Sequence, residues 1–319
     1  MTSKPRIAIT IGDAAGIGPE VTLKAVKDQA LRETAEIILV GDAAHLRAVA
    51  SRLSIGSSVL DTVAIEDLAN LPQEIVYGVD SPSTGKAAAE NIVRAVGLWK
   101  AGEIDAIVTA PISKNAIKLA GFDFPGHTEF LAHLTDTTEF AMSFFAGPLR
   151  VALMSTHLPL TEAIAFVTQE RVAKLIRFCD REFTKLLGHK ARIAVAGINP
   201  HASEGGMFGR EESERIVPAI EDCLAEGIDV SGPHPADTVF FNAIRGKFDA
   251  VIAMYHDQAT IPVKSTAFDR AVNVTLGLPV IRTSVDHGTA YDIAGNGIAN
   301  AANMIAAIEL AIELARLGK

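Results

Sequence analysis

Positive charge is in short supply in this chain. Its 319 residues include 29 Lys and Arg against 38 Asp and Glu, a formal net charge of −9. A nucleic acid or an anionic membrane surface is therefore not an expected partner, since both need a basic face. A local cluster of Lys, Arg and His can still hold a small anion. Cysteine is scarcer still: only Cys179 and Cys223 are present, both on segments with helical patterning. They are expected to be reduced, packed thiols in a reducing compartment. Long apolar runs are missing too. No stretch reaches the roughly 18 to 20 residues that a bilayer span requires. The N-terminal MTSKPRIAIT enters a strand without an apolar leader or a small-residue cleavage site. A cytoplasmic protein without a membrane partner is the expectation. Internal repeats, low-complexity tracts and clear linkers are also absent.

What is present suits a soluble α/β protein. Hydrophobic residues make up 49% and charged residues 21%, enough apolar content for a large interior. The length exceeds that of one compact core, so two domains are expected. Apolar runs with strand character alternate with helical patterns. Strands are expected at 6–11, 37–40, 104–109, 140–145 and 151–154, the last two around the turn at Gly147-Pro148, and a candidate strand at 75–77. Later strands are expected near Val272 and Val280. Helices are expected at 43–53, 86–100, 168–187 and 211–225, with a closing helix to about Leu317. SPSTGK (81–86) and GPHPADT (232–238) read as loop and turn, and ASEGGMFGREE (202–212) as a flexible segment.

The richest stretch is 250–264, AVIAMYHDQATIPVK. An apolar run, read as a buried strand, leads straight into Tyr255, His256 and Asp257. Pro262 reads as a break in regular pairing, and Lys264 adds a cation. In open α/β sheets, ligands lie beyond the carboxyl ends of the strands. VALMSTH repeats the design with His157, and IAVAGINPH with His201. One such histidine is more often a loop residue with a local hydrogen bond. Three with the same placement point to a divalent metal site with an open position. Other strand ends carry polar groups as well. TAPISK brings Ser113 and Lys114, Lys114 either touching a substrate or solvating a helix. FPGHTEF places His127 and Thr128 at a helix start, where donors can hold a carboxylate or phosphate. GDAAGIGPEV is either an anion-facing loop or a plain strand-to-helix turn. It matches neither the dinucleotide fingerprint nor the P-loop.

Taken together, GDAAGIGPE, TAPISK, FPGHTEF, STHLPL, GINPHASEGGMFG, PADT, AMYHDQ, VNVTLGLP and IRTSVDHGTAYDIA resemble the 4-hydroxythreonine-4-phosphate dehydrogenase family, in the family's order and over nearly the whole chain. GIGPE and HGTAYDIAGNGIAN also resemble the wider isopropylmalate and isocitrate dehydrogenase group. The resemblance implies two α/β/α domains flanking a cleft, isopropylmalate-dehydrogenase-like rather than a standard Rossmann fold. Residues 1–125 plus 275–319 would form the nucleotide-side domain, and 126–274 the metal, substrate and dimerisation domain. It further implies a homodimer with its active site at the subunit interface. His157, His201 and His256 would bind one divalent ion (Zn, Mg, Mn or Co), one of the three coming from the neighbouring subunit. Substrate contacts fall on His127, Thr128, Asp237, Lys264, Asn273 and Arg282. NAD or NADP would lie along the loop holding His287, Gly288, Asp292 and Asn296. Asp257 would orient an imidazole, and Lys264 and His127 are the candidate proton acceptors.

The implied reaction is oxidation and decarboxylation of 4-phosphohydroxy-L-threonine to 3-amino-2-oxopropyl phosphate, a step of pyridoxal phosphate (vitamin B6) biosynthesis. The chain departs from the family pattern in two places: Ala14 replaces the usual proline, and Ala259 and Thr260 replace a glycine-led stretch. Both segments are expected to border the pocket. The alternative substrates are therefore D-threonate or D-erythronate 4-phosphate, or a cyclic diol carboxylate. A three-histidine metal hydrolase would use the histidines but leave HGTAYDIAGNG idle. A two-domain binding protein without chemistry is the remaining class. A shared site also predicts that His157→Ala and His256→Ala subunits regain activity when mixed.

Overall fold

Short runs of small and β-branched apolar residues make the strands. In the computed structural model, which describes residues 4–317, they are β1 (Arg6–Thr10), β2 (Glu36–Gly41), β3 (Ala64–Asp67), β4 (Ala106–Thr109), β5 (Ala141–Ala146), β6 (Leu149–Leu153), β7 (Ile193–Ala196), β8 (Val230–His234), β9 (Ala250–Ala253), β10 (Val272–Leu276) and β11 (Ile281–Val285). Every residue of β4, β7 and β9 is buried. Strands covered on both faces need apolar or small side chains at every position, which is why AIVT, IAVA and AVIA do not alternate. Helices are interspersed throughout, as the α/β expectation required.

The chain forms two compact units. The first runs to Phe140 and resumes at Gly277–Leu317; the second is Ala141–Leu276. The sequence had placed these divisions at 125/126 and 274/275. The helix His127–Leu134 stays with the first unit because Phe130 and Leu131 sit in its core, with Ile107 of β4 and Ile92 and Val96 of the helix Pro82–Lys100. Phe124 stacks on Phe130 at 4.4 Å. Burying a side chain of this size stabilises by about 1.5–3 kcal/mol. Strand order in the first unit is β3-β2-β1-β4-β11, parallel throughout.

In the second unit the order is β10-β5-β6-β9-β7-β8. β5 runs antiparallel to both its neighbours, and β6, β9, β7 and β8 are parallel. Val151, Val251, Phe144, Phe240 and Val263 meet in its core. In the parallel set β6, β9 and β7 lie side by side, and each leads into a histidine segment.

Several local expectations were overturned. Residues 81–86 are not a loop. Ser81 caps the helix Pro82–Lys100 by accepting from the Thr84 N–H at 3.2 Å, with Pro82 in the first turn. No strand forms at 75–77. The strand of that region is β3, which has no buried residue and so no apolar run to betray it. Residues 232–234 belong to β8 rather than to a turn. Pro262 does not end the helix; it lies inside His256–Ala267, where it lacks only its own N–H donor. Cys179 and Cys223 are buried free thiols. Among the described residues no helix is long and apolar enough to cross a membrane.

Candidate active site

β6 and β9 pair in register, Val151 opposite Val251 and Leu153 opposite Ala253. Their continuations stay joined: the Met154 N–H donates to Ala253 O at 2.8 Å, and Ser155 Oγ donates to Met254 O at 3.0 Å. Two apolar strands thus deliver His157 and His256 to one place, with ring centroids 5.9 Å apart. Both line a cavity of about 280 Å³, together with Tyr255 and Asp257. His256 opens its helix, and its Nδ1 lies 2.8 Å from Asp257 Oδ1. An ionised carboxylate can only accept, so Nδ1 donates to it. In the neutral ring Nε2 then carries the lone pair, the arrangement of a metal-binding imidazole held by an outer carboxylate.

His201 follows β7, the next strand over. The segment expected to be flexible is instead a tight turn, Pro200–Gly206, with five successive left-handed residues from His201 (φ 53°) to Gly205 (φ 70°). A left-handed conformation costs an L-residue roughly 1–2 kcal/mol, so this turn must be held from outside. Buried Glu212 does part of that work. Its Oε1 accepts from the Ile198 and Asn199 N–H groups at 2.8 and 2.6 Å, and Asn199 Nδ2 donates to its Oε2 at 2.8 Å. Gln258 braces the approach to the turn: it accepts from the Met254 N–H at 2.7 Å and donates to Gly197 O at 2.6 Å. The residue two after His256 therefore braces the chain that leads to His201. Glu212 and Gln258 were missed in the sequence, although Gln258 stands in the AMYHDQ motif itself. Among the described residues, no group of three or more His, Cys, Asp or Glu side chains could hold a metal within this single chain. The structure brings His157 and His256 together, but His201 does not complete a three-membered set with them.

In the first unit, Arg282 of β11 is buried, and its Nε and Nη2 donate to Thr109 Oγ1 at 3.2 and 3.0 Å. Burial lowers its pKa to about 10, opposed by the charge of Glu129. His127 opens the helix His127–Leu134, and its Nε2 is buried without a hydrogen-bond partner. Burial, together with the Arg282 charge, drives its pKa well below 6.5. So the ring is neutral at pH 7 beside a cation that stays charged. Thr128 is buried next to it. Lys114 also belongs to this neighbourhood, since a Cβ built on Gly126 would lie 3.9 Å from its Cε. The remaining expected contacts lie in the second unit: Asp237 exposed in the first turn of the helix Ala236–Ile244, Lys264 exposed on the helix Gln258 shares with His256, and Asn273 in β10. Ala259 packs in the core of that unit, so this departure does not face a pocket directly.

Residues 286–301 form neither strand nor helix. Lys24 Nζ fastens the far end, donating to Gly297 O and Ala299 O at 2.8 Å each and to Glu20 Oε1 at 2.7 Å. Asp292 and Asn296 are exposed on it, and a Cβ on Gly288 would meet nothing within 4 Å. His287 Nε2 is buried without a partner. An open glycine, two exposed polar side chains and an orphaned ring nitrogen fit a nucleotide. The glycine loop after β1 does not act as an anion cradle. The Ala15 N–H donates to Asp13 Oδ1, the Gly16 N–H to Asp13 O and the Ile17 N–H to Thr289 O. Gly16 is there for close approach, since a Cβ would meet Thr289 at 2.9 Å.

Known proteins resemble this chain over nearly its whole length. A 4-hydroxythreonine-4-phosphate dehydrogenase of Trichlorobacter lovleyi is 44% identical over 334 residues, 98% of each chain. A D-threonate 4-phosphate dehydrogenase of Cupriavidus necator is 45% identical over 326 residues, 98% of this chain and 97% of the other. The crystal structure of 4-hydroxythreonine-4-phosphate dehydrogenase from Klebsiella pneumoniae superposes with a TM-score of 0.90 at 41% identity, over 98% of both chains. The class is therefore that of an α/β oxidoreductase of the dehydrogenase type. Residues 25–311 match the model of the pyridoxal phosphate biosynthetic protein PdxA, and the chain belongs to that family.

Proposed function

We propose that the chain is a metal-dependent, NAD-linked dehydrogenase. It would oxidise 4-phosphohydroxy-L-threonine at its secondary alcohol and release the carboxylate as carbon dioxide, giving 3-amino-2-oxopropyl phosphate for pyridoxal phosphate synthesis. The observation that carries this reading is the His157–His256 pair, with Asp257 behind it, in a chain of this family. A divalent ion (Zn, Mg, Mn or Co) held by those two rings and by His201 of a second copy would supply Lewis-acid polarisation at the alcohol oxygen. NAD or NADP along the loop of His287, Gly288, Asp292 and Asn296 would take the hydride.

The chain's own groups do the remainder. Arg282, charged at any working pH, holds a phosphate or carboxylate by parallel hydrogen bonds. Thr128 adds a hydroxyl, and the neutral His127 ring adds a hydrogen bond without a charge. Lys264, Asn273 and Asp237 supply the contacts of the second unit. The alcohol proton goes to Lys264 or to His127, which is unprotonated at neutral pH and so free to accept it. Once the alcohol is a ketone, the neighbouring carboxylate departs because the ketone takes up its electrons.

A homodimer is supported by large apolar side chains left exposed in the second unit, among them Leu160, Met207, Phe208, Phe241, Ile261 and Phe268. Because His157 and His256 are neighbours in one chain, subunits carrying His157→Ala and His201→Ala form the informative mixture. A heterodimer of those two retains one intact site, whereas His157→Ala with His256→Ala retains none. This revises the mixing expectation drawn from sequence.

The second reading is D-threonate 4-phosphate as substrate, favoured by the Cupriavidus relative at 45% identity. D-erythronate 4-phosphate and a cyclic diol carboxylate follow it. A three-histidine hydrolase leaves the 286–301 loop without a task. The deciding experiment follows NADH with each phosphorylated acid in turn. EDTA should abolish turnover and added metal should restore it; full turnover after complete metal removal rejects the metal role.

A further inference from the structure

Four segments of the first unit end on one cluster, buried at Asp13 and partly exposed at Asp80, Ser113 and Tyr291. Asp13, just after β1, is fully buried. Tyr291 Oη lies 2.8 Å from Asp13 Oδ2 and 2.9 Å from Asp80 Oδ1. Ser113 Oγ donates to that same Asp80 oxygen. The other oxygen of Asp13 accepts from the Ala15 N–H at 2.8 Å.

The hydrogens can be counted. A phenol has one to give, and an ionised carboxylate has none. Tyr291 touches two carboxyl groups, so one of the two contacts needs a hydrogen from the carboxyl side. Asp80 does not provide it. Its contacted oxygen already receives the Ser113 hydrogen, and bonds from Ser113, Tyr291 and Asn115 hold its pKa low against its slight burial. Asp13 is placed to do so. Burial raises its pKa and the charge of Asp80 adds to the effect, against hydrogen bonds from Ala15, Tyr291 and Thr84. Among the described residues, the influences on Asp13, Asp80 and Tyr291 include no Lys or Arg.

We propose that Asp13 is kept as a neutral carboxylic acid that donates to Tyr291, which in turn donates to Asp80, and that this clasp sets the 286–301 loop in the shape that receives the nucleotide. Asp13 and Tyr291 are positioning residues, and the nucleotide half of the proposal rests on the cofactor reading above. Two further bonds hold the same place: the Ile17 N–H to Thr289 O at 2.9 Å and the Gly78 N–H to Ala15 O at 2.8 Å. The pH sign follows from the raised carboxyl pKa. Below the ordinary carboxyl range Asp13 is protonated whether the chain is folded or not. As pH rises the unfolded chain ionises first, and beyond the raised value the folded one does too. The clasp therefore weakens as pH rises, when a second negative charge appears beside Asp80.

Two substitutions separate the alternatives. Asp13→Asn keeps the shape and puts an N–H where the acid has its O–H. Tyr291→Phe removes the shared hydroxyl. Calorimetry with NAD should find the Asn variant within about twofold of wild type, without the wild-type loss of affinity on the alkaline side. The Phe variant should bind roughly 5- to 30-fold more weakly, the loss of one or two hydrogen bonds. Infrared difference spectra need no nucleotide. At neutral pH the wild type should show a protonated-carboxyl carbonyl band that Asp13→Asn removes. Absence of that band, or an Asn variant as impaired as the Phe variant, overturns the neutral acid. A band together with unaltered NAD affinity in Tyr291→Phe overturns the positioning role. If wild type binds no NAD, the cofactor reading and the nucleotide half fall together, while the band still decides where the proton sits.

Discussion

His127 and His256 hold the same formal position, each the first residue of a helix. Their surroundings make them different reagents. His127 has a buried, unpartnered Nε2 and the Arg282 charge nearby, and its resting ring is neutral near pH 7. His256 has a carboxylate on Nδ1 and a side chain 42% exposed, so its other nitrogen can reach a ligand. A helix start does not fix what an imidazole does; how deeply the ring is buried and what lies beside it do.

Five experiments would break or sharpen that contrast. The largest effect belongs to His256→Ala. It should lower metal affinity by more than about 100-fold, beyond the usual range for an outer-sphere partner, as read by equilibrium dialysis. His127→Ala should leave metal affinity unchanged, and equal losses in both would erase the distinction. Next, Asp257→Asn should weaken metal binding by about 10- to 100-fold through loss of ring orientation, with the KM for NAD unmoved. Arg282→Lys should raise the KM for the phosphorylated substrate roughly tenfold or more, since a lysine cannot reproduce the planar fork.

The fourth effect is on stability. Because the folded pKa of His127 is depressed below 6.5, the unfolded chain binds the proton first. The stability tied to a neutral His127 is complete above that value and declines as pH falls below it. His127→Gln should flatten the acid limb of a urea-denaturation series between pH 7 and roughly pH 5, and an unchanged limb would mean that the ring protonates freely. The smallest effect concerns the third histidine segment. Glu204 is exposed with φ 44°, so Glu204→Gly should stabilise the fold by about 1 kcal/mol. A loss of stability would show that the side chain matters more than its backbone strain.

The histidine strand ends were legible because each follows a short run of wholly apolar residues, and parallel packing forces such runs. The closeness of His157 and His256 was not, because strand order, with β9 between β6 and β7, is a tertiary fact. The turn at 200–206 was misread for a similar reason. Its Gly, Ser and Glu content resembles a flexible linker, while the groups that brace it, the Glu212 acceptor and the Gln258 amide donor, lie outside the segment. Ser81-Pro82 was a missed signal of another kind: a cap followed by proline is local, and it marked the helix that SPSTGK begins. The Asp13–Tyr291 contact spans most of the chain length, and no residue pattern near either partner announces it.

The mirror-handed turn that carries His201 also limits what this chain can become. Valine, isoleucine or threonine at positions 202 to 204 would crowd their own carbonyls in that conformation, whereas glycine, asparagine and aspartate tolerate it. Variation there is filtered by backbone handedness before chemistry is consulted, so the segment that looks most permissive in composition is among the least free to drift.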